Sequence, residues 1–116
     1  MSEDCIFCRI ACKEIPAALV YEDQDVVAFK DLAPQAPVHV LVVPKKHLTD
    51  LMAVKPEDQI LITHIMTAVI PQLVCELDLK ETGFRVVVNT GTEGGQTVPH
   101  LHFHLLGGRA MTWPPG

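Results

Sequence analysis

The sequence has no stripe of Lys or Arg, and its formal charge is −5. Nucleic-acid binding draws on clustered cations that neutralise phosphates, so that class of partner is excluded. Long apolar runs are also missing: none is expected to approach the roughly 20 residues that span a bilayer, so no membrane segment is predicted. The N-terminus, MSEDCIFCRI, opens acidic where a secretory signal opens basic, which predicts a cytoplasmic chain. In that compartment a disulfide framework is not expected of the four cysteines. No repeat, low-complexity tract or linker is visible, and the 116 residues predict one domain over 1–116. Hydrophobic residues at 48% and charged residues at 20% argue against disorder.

What is there reads as an α+β domain. ALVYEDQDVVAFKD predicts a hairpin, with Leu19–Tyr21 and Val26–Phe29 flanking a polar turn. APQAPV is a loop punctuated by proline, and VHVLVVP is a strand rich in β-branched residues, closed by Pro44. From Pro56 to Leu79 the apolar residues recur at helical spacing, and Pro56-Glu57-Asp58 suits a helix start. Pro71 predicts a kink there or two helices in sequence. GFRVVVNTG predicts a strand ending at Asn89, and the glycine-rich loop NTGTEGGQT leads to a last strand carrying three histidines. The order predicts a mostly antiparallel sheet covered by one main helix. Such a sheet has open edges, which a second copy of the chain could cover.

On a strand, His100, His102 and His104 share one face while Leu101, Phe103 and Leu105 take the other. A rise of about 3.3 Å per residue sets neighbouring histidines about 7 Å apart and the outer two about 13 Å. Zinc–nitrogen bonds are only about 2.0–2.1 Å, so a single three-histidine metal cage is excluded. A polar strand face that happens to use histidine is the bland alternative. The preceding loop weighs against it, because Gly91, Gly94 and Gly95 suit a backbone nest for phosphate. Imidazoles facing such an anion can serve as nucleophile, proton carrier or charge stabiliser.

HLHFHLL resembles the His-φ-His-φ-His-φ-φ signature of the histidine triad (HIT) superfamily. The resemblance extends through IFCRIACKEIPAALVYEDQDVVAFKDLAPQAPVHVLVVPKKH, VVNTGTEGGQTVPHLHFHLLGGR and the terminal WPPG, and is to the Hint branch, the nucleoside phosphoramidate hydrolases. It implies a five-stranded sheet with one long helix and a short N-terminal helix, and a homodimer forming a continuous sheet. It also implies a purine nucleotide substrate and hydrolysis of a P–N bond through a nucleotidyl-histidine. In that reading His102 is the nucleophile, with His104 and His39 lining the phosphate site. Asn89, Gly95, Gln96 and Thr97 match the phosphate loop, Thr97 standing where many relatives have serine. Asp31 matches the acid that takes the ribose hydroxyls. Phe7, Ile10, Phe29 and Leu32 match the slot for the base, and Trp113 matches a residue that reaches toward the partner's site. Without the resemblance, Asp31 reads as a turn residue, Asn89 equally as a strand end, and Trp113 as packing. The superfamily also holds dinucleoside polyphosphate hydrolases and nucleotidyltransferases, and a non-catalytic nucleotide binder could use the same pocket. The loop and WPPG favour the phosphoramidase.

Cys5-x-x-Cys8 alone is a weak signal, open to a structural, a redox or a metal reading. The thioredoxin-like βαβ setting for redox chemistry is missing. His47 and His100 complete a Cys₂His₂ set suited to tetrahedral zinc. Some histidine triad relatives hold zinc in this way, so the resemblance implies a closed structural zinc on Cys5, Cys8, His47 and His100. Pro99 removes a backbone donor ahead of the triad and predicts an edge or bulge there. Cys75 reads as a small core residue, and His64 as a surface or satisfied core residue.

Overall fold

The β-branched run Val38–Pro44 is the middle strand, β3, of the computed structural model, which describes residues 4–116. It is flanked by β2 (Val26–Lys30) and β5 (Phe103–Gly107), with β1 (Leu19–Glu22) and β4 (Phe84–Val87) at the edges. The order is β1-β2-β3-β5-β4, antiparallel throughout, as the HIT-like α+β reading requires. Alternation divides β3 between two cores. Val40 and Val42 face one side with Val26, Ala28, Phe103 and Leu105; Leu41 and Val43 face the other with Val27 and Phe29.

The first side is covered by one long helical segment, Pro56–Glu76. Its residues Ile65, Val69 and Leu73 are fully buried against the sheet. Pro71 has no N–H to give the carbonyl four residues earlier, and the chain solves this by widening. After α2 (Gln59–His64), a π turn spans Ile65–Val69, where Ile70 donates its N–H to the Ile65 carbonyl, and α3 (Ile70–Glu76) follows. The expected interruption at Pro71 is therefore a π turn placed just before it.

By length and composition this segment of 21 residues is also apolar enough to cross a membrane, which corrects the expectation that no run approached that length. The packing of Ile65, Val69, Leu73 and Val74 on the sheet gives it the role of a core helix. Ile60 and Met66 remain exposed on its outer side.

The second side is covered by the short helix α1 (Ile6–Ala11), through Phe7, Cys8, Ile10 and Ala11. Cys5 caps it, its Sγ accepting the Cys8 N–H at 3.4 Å. Two strand expectations shift. The histidine strand begins only at Phe103, so His100 and His102 lie in the approach to β5 and only His104 lies within it. Proline at 99 and a tight turn, in which His100 donates its N–H to the Val98 carbonyl, delay the ladder. Likewise β4 ends at Val87, two residues before Asn89. The expected sidedness of the triad survives, because Leu101 and Phe103 belong to the helix-side core.

Candidate active site and metal cluster

The face of the sheet under α1 carries a cleft of about 300 Å³. Phe7, Ile10, Phe29 and Leu41 give it an apolar wall, and Asp31, Thr97, His102 and His104 give it polar groups. Ile15, Pro16, Ala17 and Val98 also line it; sequence reasoning did not name them, although an apolar stretch beside the C-x-x-C segment was the available signal. Leu32 stands fully exposed at the rim.

The histidines in and behind the cleft are held by backbone groups and by one another. His102 Nδ1 lies 2.7 Å from the His100 carbonyl, to which only an N–H can bond, so Nε2 carries the lone pair. His39 Nδ1 accepts the Gln35 N–H at 3.1 Å, which places the His39 proton on Nε2. That Nε2–H is 2.9 Å from His104 Nδ1 and donates to it, leaving His104 with its own proton on Nε2. His39 and His104 come from adjacent strands, where Leu41 pairs with His104 and His39 with Leu106, so the two imidazoles are diagonal neighbours on one face. His39 is buried behind His104, outside the cleft lining. Phe7 makes T-shaped ring contacts with both His102, at 5.1 Å between ring centres, and His100, at 5.9 Å.

Burial, with His102 and His39 close by, drives the pKa of His104 down to about 4 against the pull of Asp31. Burial likewise lowers His39, again opposed by Asp31, whose carboxylate is 3.5 Å away. Both imidazoles are neutral near pH 7.

The phosphate-loop candidates divide. A Cβ at Gly94 would stand 2.2 Å from the Thr90 carbonyl oxygen, and Gly95 has a φ of +80°, so the loop's tight path needs both glycines. Gln96 turns onto the backbone: its Nε2 donates to the Thr49 and Val98 carbonyls and its Oε1 accepts the Gly91 N–H. Thr97 lines the cleft, whereas Asn89, Gly95 and Gln96 do not. Trp113, 82% exposed, is also outside it.

Beside the cleft, Cys5, Cys8, His47 and His100 converge, with all four ligand atoms within 4.8 Å of one another. His100 Nε2 lies 2.8 Å from the Pro44 carbonyl and donates to it, so its Nδ1 lone pair is free. That Nδ1 is 3.2 Å from Cys5 Sγ, 3.5 Å from Cys8 Sγ and 3.1 Å from His47 Nδ1, and Cys8 Sγ is 3.3 Å from His47 Nδ1. Zinc bonds of about 2.0–2.3 Å in a tetrahedron set ligand atoms about 3.3–3.8 Å apart, close to this arrangement. Burial, opposed by the Pro44 carbonyl and reinforced by His47 and His102, takes the His100 pKa down to about 4, which keeps it in the neutral, ligating form. The four residues therefore form a possible metal-binding cluster. His64 is a satisfied polar residue as read from sequence: its Nε2 meets Asp23 at 2.6 Å.

A histidine pair placed diagonally across two strands, with the remaining members of an H-x-H-x-H run divided between a cleft and a thiol cluster, defines a class. The chain belongs to the HIT family: the HIT domain profile matches residues 12–111. It is 53% identical over 116 residues, all of both chains, to an uncharacterised HIT-like protein of Synechococcus elongatus. A HIT family hydrolase from Legionella pneumophila Philadelphia 1 superposes with a TM-score of 0.95 at 48% identity, covering 97% of this chain and 100% of that one. A histidine triad protein from Clostridium difficile gives a TM-score of 0.93 at 47% identity, covering 97% and 96%. Together they make this a HIT-family, hydrolase-like protein.

The depressed histidine pKa values set an acid limit. With the folded pKa of His104 below the unfolded value of about 6.5, the unfolded chain takes up protons first as pH falls. Stability from this group is present above about pH 6.5 and is lost as pH falls toward about 4. Urea denaturation across that window is expected to show a falling midpoint, and His104→Gln is expected to flatten the fall.

Proposed function

We propose that the protein hydrolyses the P–N bond of purine nucleoside 5′-phosphoramidates through a nucleotidyl-histidine at His102. The observation that carries this reading is the 2.7 Å hydrogen bond from His102 Nδ1 to the His100 carbonyl, which leaves Nε2 as a lone pair facing the cleft. His102 Nε2 forms a bond to the α-phosphorus, and the P–N bond breaks. The departing nitrogen takes one proton from solvent and leaves as the neutral amine. Water then attacks phosphorus, the Nε2–P bond breaks, a proton returns to solvent, and the nucleoside monophosphate is released. The carbonyl that accepts from Nδ1–H supports the positive charge that develops on the ring. His104 offers its Nε2–H as a neutral donor to the phosphoryl oxygens, and Thr97 adds a hydroxyl in the same cleft.

The apolar wall of Phe7, Ile10 and Phe29 suits a flat base, and Asp31 at its edge suits ribose hydroxyls. The non-catalytic reading is disfavoured by the cost of building such a poised nucleophile, and the superfamily's polyphosphate hydrolases and transferases are the enzymatic rivals. Replacing the nucleophile is expected to lower kcat on an adenosine phosphoramidate by at least about 10³-fold in His102→Ala. Intact mass of the wild-type protein quenched during turnover is expected to show one added nucleotidyl group. Wild-type rates in the variant refute the mechanism.

Cys5, Cys8, His47 and His100 are proposed to hold zinc. Such a site, closed by four protein ligands, supplies a cross-link rather than an open coordination position. It ties α1, the segment after β3 and the approach to β5 together. Protein purified without added metal or chelator is expected to carry about one zinc per chain. After chelation, amide exchange across Phe7–Cys12 is expected to quicken. Full activity with only a trace of zinc rejects the proposal.

A homodimer is proposed on the open edge of β4 and on the exposed Phe84, Ile60 and Met66. Trp113 is proposed to reach toward the partner's site; its exposure outside its own chain's cleft supports this reading. Sedimentation equilibrium is expected to give twice the mass of the chain; a monomer at micromolar concentration contradicts the assembly.

A further inference from the structure

Among the described residues, two clusters have metal-like spacing, and they differ in where their protons point. Besides the cysteine site, Asp31, His39 and His104 bring three ligand atoms within 4.8 Å of one another. His39 Nε2 lies 2.9 Å from His104 Nδ1 and 3.5 Å from Asp31 Oδ2. Tetrahedral ligand atoms on bonds of about 2.0–2.1 Å stand about 3.3 Å apart, so spacing alone admits an ion. The protons do not. A metal-ligating imidazole normally donates its other N–H to an acceptor, as His100 does to the Pro44 carbonyl. His39 has the opposite partner, a donor: Gln35 points its N–H at Nδ1 from 3.1 Å. A metal on Nε2 would push the His39 proton to Nδ1, directly against that N–H.

The residue that carries this amide is itself held. Arg109 donates its Nε–H to the Gln35 carbonyl at 3.1 Å, reaching from the segment after β5. The Gln35 side chain donates to the Ala33 carbonyl, and the Ala33 N–H is bound by Asp31 Oδ1 at 2.7 Å. Asp31 donates its N–H to the His39 carbonyl at 3.0 Å. The loop 31–35 is thereby knitted to β3 on one side and to Arg109 on the other.

We propose that Arg109 and the backbone amide of Gln35 act as positioning groups that lock His39 in its Nε2–H form, so that the Asp31–His39–His104 cluster presents a hydrogen-bond donor to the cleft and refuses metal. The chain runs in one direction: Arg109 anchors Gln35, the Gln35 N–H fixes His39, His39 Nε2–H occupies His104 Nδ1, and His104 Nε2–H faces the substrate. Arg109 touches no substrate in this scheme; it acts through Gln35. The use of that donor in catalysis rests on the function proposed above, whereas the tautomers and the metal refusal do not.

Long-range ¹H–¹⁵N correlation spectra of histidine-labelled, zinc-loaded protein read the tautomers directly. His39 and His104 are expected as Nε2–H forms and His102 as the Nδ1–H form. Gln35→Pro removes the N–H; His39 is expected to move its proton to Nδ1, and the variant is expected to bind a second zinc that Asp31→Asn abolishes. Turnover in Gln35→Pro is expected to fall about 10- to 100-fold, in kcat more than in KM. Arg109→Ala is expected to mix the His39 tautomers and lower kcat about 3- to 10-fold, with Arg109→Lys restoring part of both. Should Gln35→Pro fail to fold, the Arg109→Ala spectrum decides: a His39 signal unchanged from wild type overturns the proposal. So does a wild-type His39 in the Nδ1–H form, or a second zinc bound by wild type through Asp31. If the tautomers and metal refusal are as expected but no phosphoramidate is cleaved, the lock stands and the functional reading falls.

Discussion

Three histidines in this fold are chemically distinguished by the backbone group each one meets, and a fourth, His104, by the ring of His39. His102 and His100 both donate to carbonyls, but through opposite ring nitrogens: Nδ1 to the His100 carbonyl in one case and Nε2 to the Pro44 carbonyl in the other. One is left with a lone pair facing the cleft, the other with a lone pair facing two thiols. His39 alone meets a donor, the Gln35 N–H, and becomes a donor in turn. An imidazole is ambiguous by itself, and a buried one costs a polar group's desolvation unless both nitrogens are used. The backbone partners remove the ambiguity and satisfy the burial together. Side-chain spacing alone would not separate nucleophile, ligand and donor.

The strand approach from His100 to His104 makes this arrangement mechanically continuous. The carbonyl that orients His102 belongs to His100, whose ring enters the thiol cluster with Cys5 and Cys8. Those cysteines begin α1, and α1 supplies Phe7 and Ile10 to the cleft wall. Leu101 donates its N–H to the Leu48 carbonyl, next to His47, and Gln96 ties the glycine loop to Thr49. A group held by the four ligands would therefore brace three walls of the cleft at once. This is a stronger structural argument than packing alone, because α1 is a helix of six residues, too short to persist without tertiary support.

Much of this was legible because it depends on period and residue type. The run VHVLVVP forms β3 over the predicted residues, and the hairpin, the helix-period segment and the C-x-x-C pair with two histidines all appear where pattern placed them. Strand spacing argues against a three-histidine cage, and the structure sends His100 to the thiol cluster and sets His102 and His104 in the cleft. What was not legible depends on backbone paths that pattern does not encode. The tight turn at Val98–His100 shortens β5, so the strand expected from His100 begins three residues later, at Phe103, and holds only His104 of the triad. The π turn absorbs Pro71 by a change of hydrogen-bond register that hydrophobic spacing does not reveal. Gln96 looked like a phosphate ligand by position, yet its amide stitches the loop that others of its residues would use. The roles of Gln35 and Pro44 rest on main-chain atoms, which leave no trace in residue identity.

The two metal-like clusters show why residue identity and distance are incomplete evidence for a ligand set. Both bring histidine nitrogens within bonding range of a common centre on the same face of the sheet, the cysteine cluster being the more buried of the two. In the cysteine cluster, every proton on His100 is directed away from that centre by a carbonyl. In the Asp31 cluster, the His39 proton is directed into it by an amide. An acceptor behind an imidazole prepares the ring to bind a cation; a donor behind it prepares the ring to hydrogen-bond an anion. A cleft that must hold a phosphate next to a cation site needs one of each. The fold meets that need by setting His100 against the end of β3 and His39 against the loop that precedes it.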